Sequence, residues 1–548
     1  MKKRSNFQVM TRLVGLIKPL IIYMLFAVIT GVIGFICASG VTVIAAIALV
    51  HIIQQNDFSN FIYILIALAI LRGVLHYIEH ACNHYIAFKI LALIRDKVFS
   101  KLRKLAPAKL ESKKSGDLVA LITSDIELLE IFFAHTISPI LIALIMAVIM
   151  FFAFGYVHIY FALIAVVSYL IMGVIIPTTT SKKVTVNGQN QREKFAEINT
   201  HVFDSLRGIK EIVQYRILNQ RTSELTIMNQ EMDQLNYTSK KAFGMVQANT
   251  STCINLSSCL MFLVGMYMYL KGIVTIEVVI ITTVMLYSSF GAFIALANLG
   301  ATLSQTLACG NRILDLLDEK PLVAAVEDGL QPEIKDIVID DVTFKYEAEN
   351  ILENFTMQLK NNQINGIIGK SGMGKSTILK LLIRFFDVQK GNISIHQENI
   401  KSIQSDYIYD HIGYVSQTTH LFHDTIANNI LLAKLDASQN EVENACKKAM
   451  IHEFIMTLPQ GYQTNVGELG DTLSSGQCQR ISLARAFLQD PDCLLLDEPT
   501  SNVDSVNEAM ILKSLYQNKG KTIVLVSHRQ STHEIVEHQI TLDNQRFS

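Results

Sequence analysis

The sequence predicts a multidomain membrane protein: an all-α domain of six transmembrane helices with long cytoplasmic helix extensions, followed by an α/β domain. Three observations lead there. Apolar residues make up 50% of the 548 positions and charged residues 17%, well below the ~25% charged share of ordinary soluble chains. The apolar residues collect into six runs before residue 300, each near the ~20 residues a bilayer core requires. Beyond residue 318 the pattern changes to short apolar runs between helical stretches, the mark of a parallel α/β sheet.

The six spans fall near 19–41, 60–81, 136–155, 158–177, 248–270 and 274–296, within a membrane domain of residues 1–317. Residues 6–18, NFQVMTRLVGLIK, read as an amphipathic helix lying at the interface ahead of the first span. The start MKKR is not a signal peptide, because the apolar stretch from Pro19 to Val50 is too long and lacks a small-residue cleavage site. Basic residues crowd the connections from Lys89 to Lys114 and from Lys182 to Lys241, whereas the opposite loops HIIQQNDFSN, GYVH and LKGIV hold only Lys271. The positive-inside rule then puts both termini and both long connections in the cytoplasm of a multi-pass plasma-membrane protein. Those connections, FKILALIRDKVFSKLRKL and REKFAEINTHVFDSLRGIKEIVQYRIL, alternate apolar and charged faces at helical spacing, so the spans continue into the cytosol.

A net charge of −1 gives no field for nucleic acid, and no nucleic-acid partner is expected. The eight cysteines form no CxxC pair and no zinc spacing, which suits a reducing compartment. The polar, proline-containing segment DEKPLVAAVEDGLQPEIK reads as a linker over 318–335, and residues 336–548 as the second domain.

GKSGMGKS, Gly369 to Ser376, is a complete G-x-x-x-x-G-K-[ST] loop between the strand-like INGIIG and the helical TILKLLIRFF. It predicts an α/β P-loop nucleotide-binding domain. Gly369, Lys370, Ser371, Gly372, Met373 and Gly374 offer backbone N–H groups to phosphates. Lys375 reaches the terminal phosphates, Ser376 ligates Mg²⁺, and Thr377 follows at the helix N-terminus. In CLLLDEP an apolar strand ends in Asp497, placed to hold Mg²⁺, and Glu498, placed to orient or deprotonate an attacking water. Without the phosphate loop this would read as a buried strand ending in a solvated acidic turn.

Between these motifs lies LSSGQCQR, residues 473–480, a small-residue nest that opens a helix and so forms a second phosphate-binding end. With it the chain resembles the ABC transporter family along essentially its whole length, in the layout of an exporter-type half-transporter. The resemblance implies a head-to-tail dimer with ATP and Mg²⁺ sandwiched between two ATPase domains, Ser474, Ser475, Gly476 and Gln477 meeting the partner's ATP. It further implies that Tyr346 stacks on adenine, Gln417 senses Mg²⁺, His528 contacts the γ-phosphate and Asp504 lies in the loop joining the two sites. SKKSGDLVALITSDIELLE and LRGIKEIVQYR resemble the family's coupling helices, docking near Gln417. The first half looks most like the paired exporter of cytochrome bd assembly, through HYIAFKILALIRDKVFSKLRKLAPAKL, SGDL and ISP. That likeness implies a bacterial plasma membrane, a second half-transporter as partner (a heterodimer favoured over a homodimer) and a small heme-, thiol- or amino-acid-related cargo. Uptake of a metal chelate and a non-transporting membrane sensor are the alternatives.

The second span carries the last signal. LRGVLHYIEHACNHYIAF places Arg72, His76, His80 and His84 every fourth residue, a stripe drifting about 40° per step at 3.6 residues per turn. His80 and His84 fall near or beyond the cytoplasmic interface, and for Glu79 and His84 two readings stand side by side, a polar residue that water simply reaches and one that serves the substrate surface. Arg72 lies deeper, where a charge costs ~2.5–3.5 kcal/mol and normally faces a cavity. The stripe is therefore the candidate substrate surface. His84 matches a heme-contacting histidine of the resembled family, but no histidine occurs between His201 and His396 to supply a second imidazole from the fifth and sixth spans.

Overall fold

The computed structural model describes residues 4–542, apart from 112, 114, 347–349, 371, 468–471, 502 and 518–519. The chain packs as two compact units. One comprises Met1–Leu102 with Lys113–Glu319, the other Arg103–Ser112 with Lys320–Ser548.

Among the described residues, six helices of the first unit are long and apolar enough to cross a membrane: Lys18–Ile53, Ser59–Leu105, Gly116–Val157, Ile159–Thr179, Leu218–Leu270 and Ile276–Ala297. The second has 47 residues and the fifth 53, and neither contains a proline to break it. At 1.5 Å per residue they run roughly 70 and 80 Å, more than twice a ~30 Å hydrocarbon core. Small residues bring the spans together, as lipid-embedded packing requires. A Cβ on Gly265 would stand 2.9 Å from Val279 Cγ1, so the fifth and sixth spans touch through a glycine notch. The buried Tyr169 hydroxyl pairs with Ser289 Oγ at 2.5 Å while its ring stacks on Phe293 at 4.2 Å.

The N-terminal helix Asn6–Gly15 opens with a capping box between Ser5 and Gln8 and buries Val9 and Leu13. Its polar side is pinned. Arg12 grips both oxygens of Asp318, at 2.5 and 2.9 Å, while Arg4 reaches Asp315 at 2.5 Å and Asp318 at 2.7 Å.

The second unit contains nine strands among its described residues: β1 Val338–Lys345, β2 Asn350–Gln358, β3 Ile364–Ile368, β4 Lys390–Ile395, β5 Glu398–Asn399, β6 Ile412–Val415, β7 Cys493–Asp497, β8 Thr522–Val526 and β9 His538–Thr541. An antiparallel sheet runs β2-β1-β4-β5, and a parallel sheet runs β6-β7-β8-β3-β9. All five residues of β7 and of β8 are buried, the unbroken apolar burial expected of a parallel sheet covered on both faces.

One expectation is corrected here. The segment between the second and third spans that packs with this unit is Arg103–Ser112, just ahead of the SKKSGDL stretch expected from the resemblance. Ala108 joins the unit's apolar core, and Glu111 accepts from Lys380 at 3.0 Å. The LRGIKEIVQYR elbow stays in the first unit with Leu206, Ile209, Val213 and Tyr215 exposed.

Two predictions follow from this packing. The hydrogen bonds from Arg12 and then Arg4 hold the Asp318 carboxyl far below the usual carboxylate range. A depressed folded value stabilises fully above that range, and the contribution is lost progressively as pH falls from that range through the folded value. Because Asp318 is 37% exposed, solvent screening limits the effect to about 1 kcal/mol or less. Asp318→Asn should therefore speed amide exchange across residues 6–15 by about fivefold or less near neutral pH, and change nothing in strong acid. The phosphate-loop turn sets the second. Gly374 has φ +88°, and a Cβ there would lie 2.8 Å from Ile351 Cγ2. Gly374→Ala should cost roughly 1–3 kcal/mol, read as a lower melting temperature of the full chain by circular dichroism.

Candidate functional site

In an open parallel sheet, ligands bind beyond the carboxyl ends of the strands. Here β3 runs into the loop 369–374 and the helix Lys375–Leu382, while β6, β7 and β8 lead into Gln417, Glu498 and His528. The sheet thus delivers four candidate elements to one edge.

Within the phosphate loop, Gly372 and Gly374 both take positive φ, 82° and 88°, which glycine adopts without a Cβ clash. Met373 Sδ accepts from the backbone N–H of Lys370 at 3.1 Å, and the Lys375 ammonium donates to the carbonyls of Gly369 and Lys370, both at 2.8 Å. Burial lowers the Lys375 pKa, opposed by the charges of Glu498 and Asp497. Ser371 lies outside the described residues. Ser376 Oγ donates to Asp497 Oδ1 at 3.0 Å. Burial pushes the Asp497 carboxyl up, only partly offset by that hydrogen bond. A buried carboxylate beside a hydroxyl, with its charge disfavoured, fits a divalent cation, which would supply the missing positive charge.

Glu498 is held on every side. Gln417 Nε2 donates to its Oε2 at 2.9 Å, and His528 Nε2 lies 3.4 Å from its Oε1. Its backbone adopts φ +50°, the left-handed region, fixed by its N–H donating to Val526 O at 2.9 Å and by Gln479 Nε2 donating to its carbonyl at 2.6 Å. Gln479 was not singled out in the sequence. Its near-complete burial in the helix Ser475–Gln489 is a tertiary fact.

Tyr346 is 43% exposed, packs edge-on against Phe386 at 5.1 Å and places its hydroxyl 3.2 Å from Thr377 Oγ1. Its ring can therefore offer a face beside the phosphate loop. Ser474 caps the helix Ser475–Gln489, its hydroxyl accepting from Gln477 N while Gln477 Oε1 accepts from Ser474 N at 2.8 Å. Gly476 is buried within that helix's first turn. Asp504 accepts from the N–H groups of Val506 and Asn507 at 3.1 and 3.0 Å, capping the helix Ser505–Gln517. Arg529, also missed in the sequence, binds this loop. It donates to Val503 O at 3.2 Å and Ser501 O at 3.0 Å and pairs with the buried Glu508.

The second-span stripe divides. His76, His80 and His84 form a chain of imidazoles, with ring centres 4.6 and 6.0 Å apart. Arg72 turns away from them onto the first span. Its guanidinium sits 4.8 Å over the Phe35 ring, and its Nη1 occupies the notch at Gly34, with no hydrogen-bond partner among the described residues. Of the two readings of Glu79, the wetted one falls, for it is 7% exposed and packs against Gly31 of the first span.

Comparison with known proteins agrees with this geometry. The ABC transporter family model matches residues 352–501, and the model for the ABC transporter transmembrane region matches 20–293. A probable ABC transporter ATP-binding/permease protein of Haemophilus influenzae is 43% identical, covering 100% of both chains. A putative multidrug export ATP-binding/permease protein of Staphylococcus aureus is 29% identical over 90% of this chain and 85% of its own. The solved structure of a bacterial Atm1-family ABC exporter with ATP bound shares the fold at TM-score 0.83 and 22% identity, covering 96% of this chain and 94% of its own. Six membrane-length helices, an α/β nucleotide domain and matches to both family models over a full-length likeness establish that this chain belongs to the ABC transporter family, as a half-transporter whose ATPase is coupled to membrane transport.

Proposed function

We propose that the chain is an ATP-driven exporter of a small molecule from a bacterial cytoplasm, with both termini cytoplasmic, working as a dimer with a second half-transporter. The observation that carries the proposal is the Glu498 carboxylate fixed between Gln417 and His528, next to the Ser376–Asp497 pair. In this reading Lys375 and the loop N–H groups bind the phosphates of ATP, and Ser376 and Asp497 would hold Mg²⁺, which would supply positive charge against the phosphates. Glu498 orients a water and takes its proton as the water oxygen bonds to the γ-phosphorus. The bond from that phosphorus to the bridging oxygen breaks, leaving ADP and phosphate. His528 steadies the γ-phosphate, and Tyr346 stacks on adenine. Ser474, Ser475, Gly476 and Gln477 complete the partner's site.

Dimerisation is supported by the elbow over residues 206–216, where Leu206, Ile209, Val213 and Tyr215 are exposed side by side in sequence. Clustered apolar exposure at a helical tip marks a partner contact. The export direction rests on the overall layout and on the export function named for the Staphylococcus aureus and Atm1-family relatives. A heme-, thiol- or amino-acid-related cargo rests on the first-half motifs. The imidazoles of the second span favour one further reading, a metal chelate as cargo.

The test is Glu498→Gln in the full chain reconstituted in lipid, alone and with any half-transporter encoded beside it. Vanadate-sensitive ATP turnover should fall by ~10²–10⁴-fold while ATP binding persists. Unchanged turnover would remove Glu498 from the mechanism. Stimulation of wild-type turnover by one of heme, glutathione, cysteine, amino acids or ferric chelates identifies the cargo class, and indifference to all of them sinks the classes named.

A further inference from the structure

The ATPase cycle makes no use of a cluster of imidazoles in the membrane unit. His76, His80 and His84 from the second span meet His135 from the third helix. The ring of His135 lies 5.4 Å from that of His84 and 6.5 Å from that of His80. His135 sits in the π-helical turn Phe133–Ile137, where Thr136 Oγ1 donates to Ile131 O five residues back. Such turns re-aim side chains and recur at functional sites.

Two of the imidazoles are backed by carboxylates. His84 Nδ1 lies 3.3 Å from Glu130 Oε1, and His76 Nδ1 lies 3.5 Å from Glu79 Oε2. A carboxylate on Nδ1 fixes the ring and leaves Nε2 as a lone-pair donor, the arrangement that supports metal-binding histidines.

We propose that His80, His84 and His135, with His76 at the open edge, bind a divalent transition-metal ion of borderline softness, of the Zn²⁺ or Co²⁺ kind. Among the described residues no three His, Cys, Asp or Glu side chains converge on one point in this conformation. The spacing is nevertheless close. Imidazoles bound at ~2.0–2.1 Å to one tetrahedral ion have ring centres roughly 5 Å apart. The His84–His135 pair already has that separation, and a change of side-chain torsion at the exposed His80 completes the set. The site concerns this chain's own residues and does not depend on the cargo reading.

The test uses the full chain, without a polyhistidine tag, in lipid nanodiscs. Titration with Co²⁺ should produce the d–d absorption of a four-coordinate site, bleached by Zn²⁺. His84→Ala and His135→Ala should each weaken binding by at least ~10-fold, and Glu130→Gln by ~10-fold through loss of ring orientation. His423→Ala, on an exposed histidine of the ATPase unit, should change nothing. If an alanine variant fails to fold by size-exclusion chromatography, Glu130→Gln decides, since it removes no imidazole. Equal Co²⁺ affinity in wild type and Glu130→Gln overturns the proposal. So does binding of a ferric chelate where the free ions do not bind, which would assign the cluster to a cargo instead.

Discussion

The position of the Glu498 carboxylate is the constraint on which the nucleotide domain depends. A carboxylate at the end of a buried strand would ordinarily swing freely into solvent. Here the strand order β6-β7-β8 sets Gln417 and His528 on either side of it, and each oxygen of the carboxylate meets one of them. The left-handed backbone at Glu498 is unfavourable for a residue with a Cβ and persists only because the surroundings over-determine it. Gln479 from the helix opened by LSSGQ holds the carbonyl, and β8 holds the amide. The helix opened by LSSGQ and strand β7 are therefore tied together, Gln479 Nε2 donating to the Glu498 carbonyl at 2.6 Å and lying 3.5 Å from Ser501 Oγ. In the proposed reading, a displacement of that helix reaches the carboxylate through these contacts.

The membrane unit solves a different problem, the accommodation of polar groups among apolar helices. Its first span does so with glycines. Gly31 admits Glu79 and Gly34 admits the Arg72 guanidinium, which spreads its charge over Phe35 instead of finding an anion. Intramembrane charges are tolerated where they face protein or water rather than lipid, and these two face protein. The histidines that follow on the same helix are more open, with His76 47% and His84 38% exposed at the side chain. The second span thus passes from a half-buried arginine anchored on the first span to an accessible imidazole row within four turns.

Short contiguous motifs made the nucleotide site legible in the sequence. A phosphate cradle is built from successive backbone N–H groups, so GKSGMGKS must be continuous, and CLLLDEP and LSSGQ are local for the same reason. The six spans were legible because a bilayer demands length and hydrophobicity within one run. What stayed hidden is tertiary. Gln479 and Arg529 look like ordinary polar residues until the fold shows what they hold. His135 joins the imidazoles through a π turn that no apolar periodicity reveals. The burial of Glu79 against Gly31 depends on where the first span packs, so the sequence leaves two readings of it open. The docking segment was displaced to 103–112 because its evidence, Ala108 in the core and Glu111 on Lys380, consists of one small apolar residue and one exposed ion pair.

The two elbows argue for how hydrolysis is shared. Residues 103–112 are consumed within their own chain, packed into the unit that carries the phosphate loop. The elbow at 206–216 is built the opposite way, its apolar side chains turned outward and its single buried side chain, Ile212, serving the helix Ile209–Gln214. A monomer would gain nothing from exposing them, since each exposed leucine or valine forgoes roughly 1.5–3 kcal/mol of burial. In the proposed reading, a dimer in which that elbow reaches the partner recovers this burial. In the same reading the nucleotide takes Lys375 and Glu498 from one chain and the Ser474 helix end from the other. In the proposed reading, closure of the sandwich and docking of the elbow are one event, because both are incomplete in a single chain.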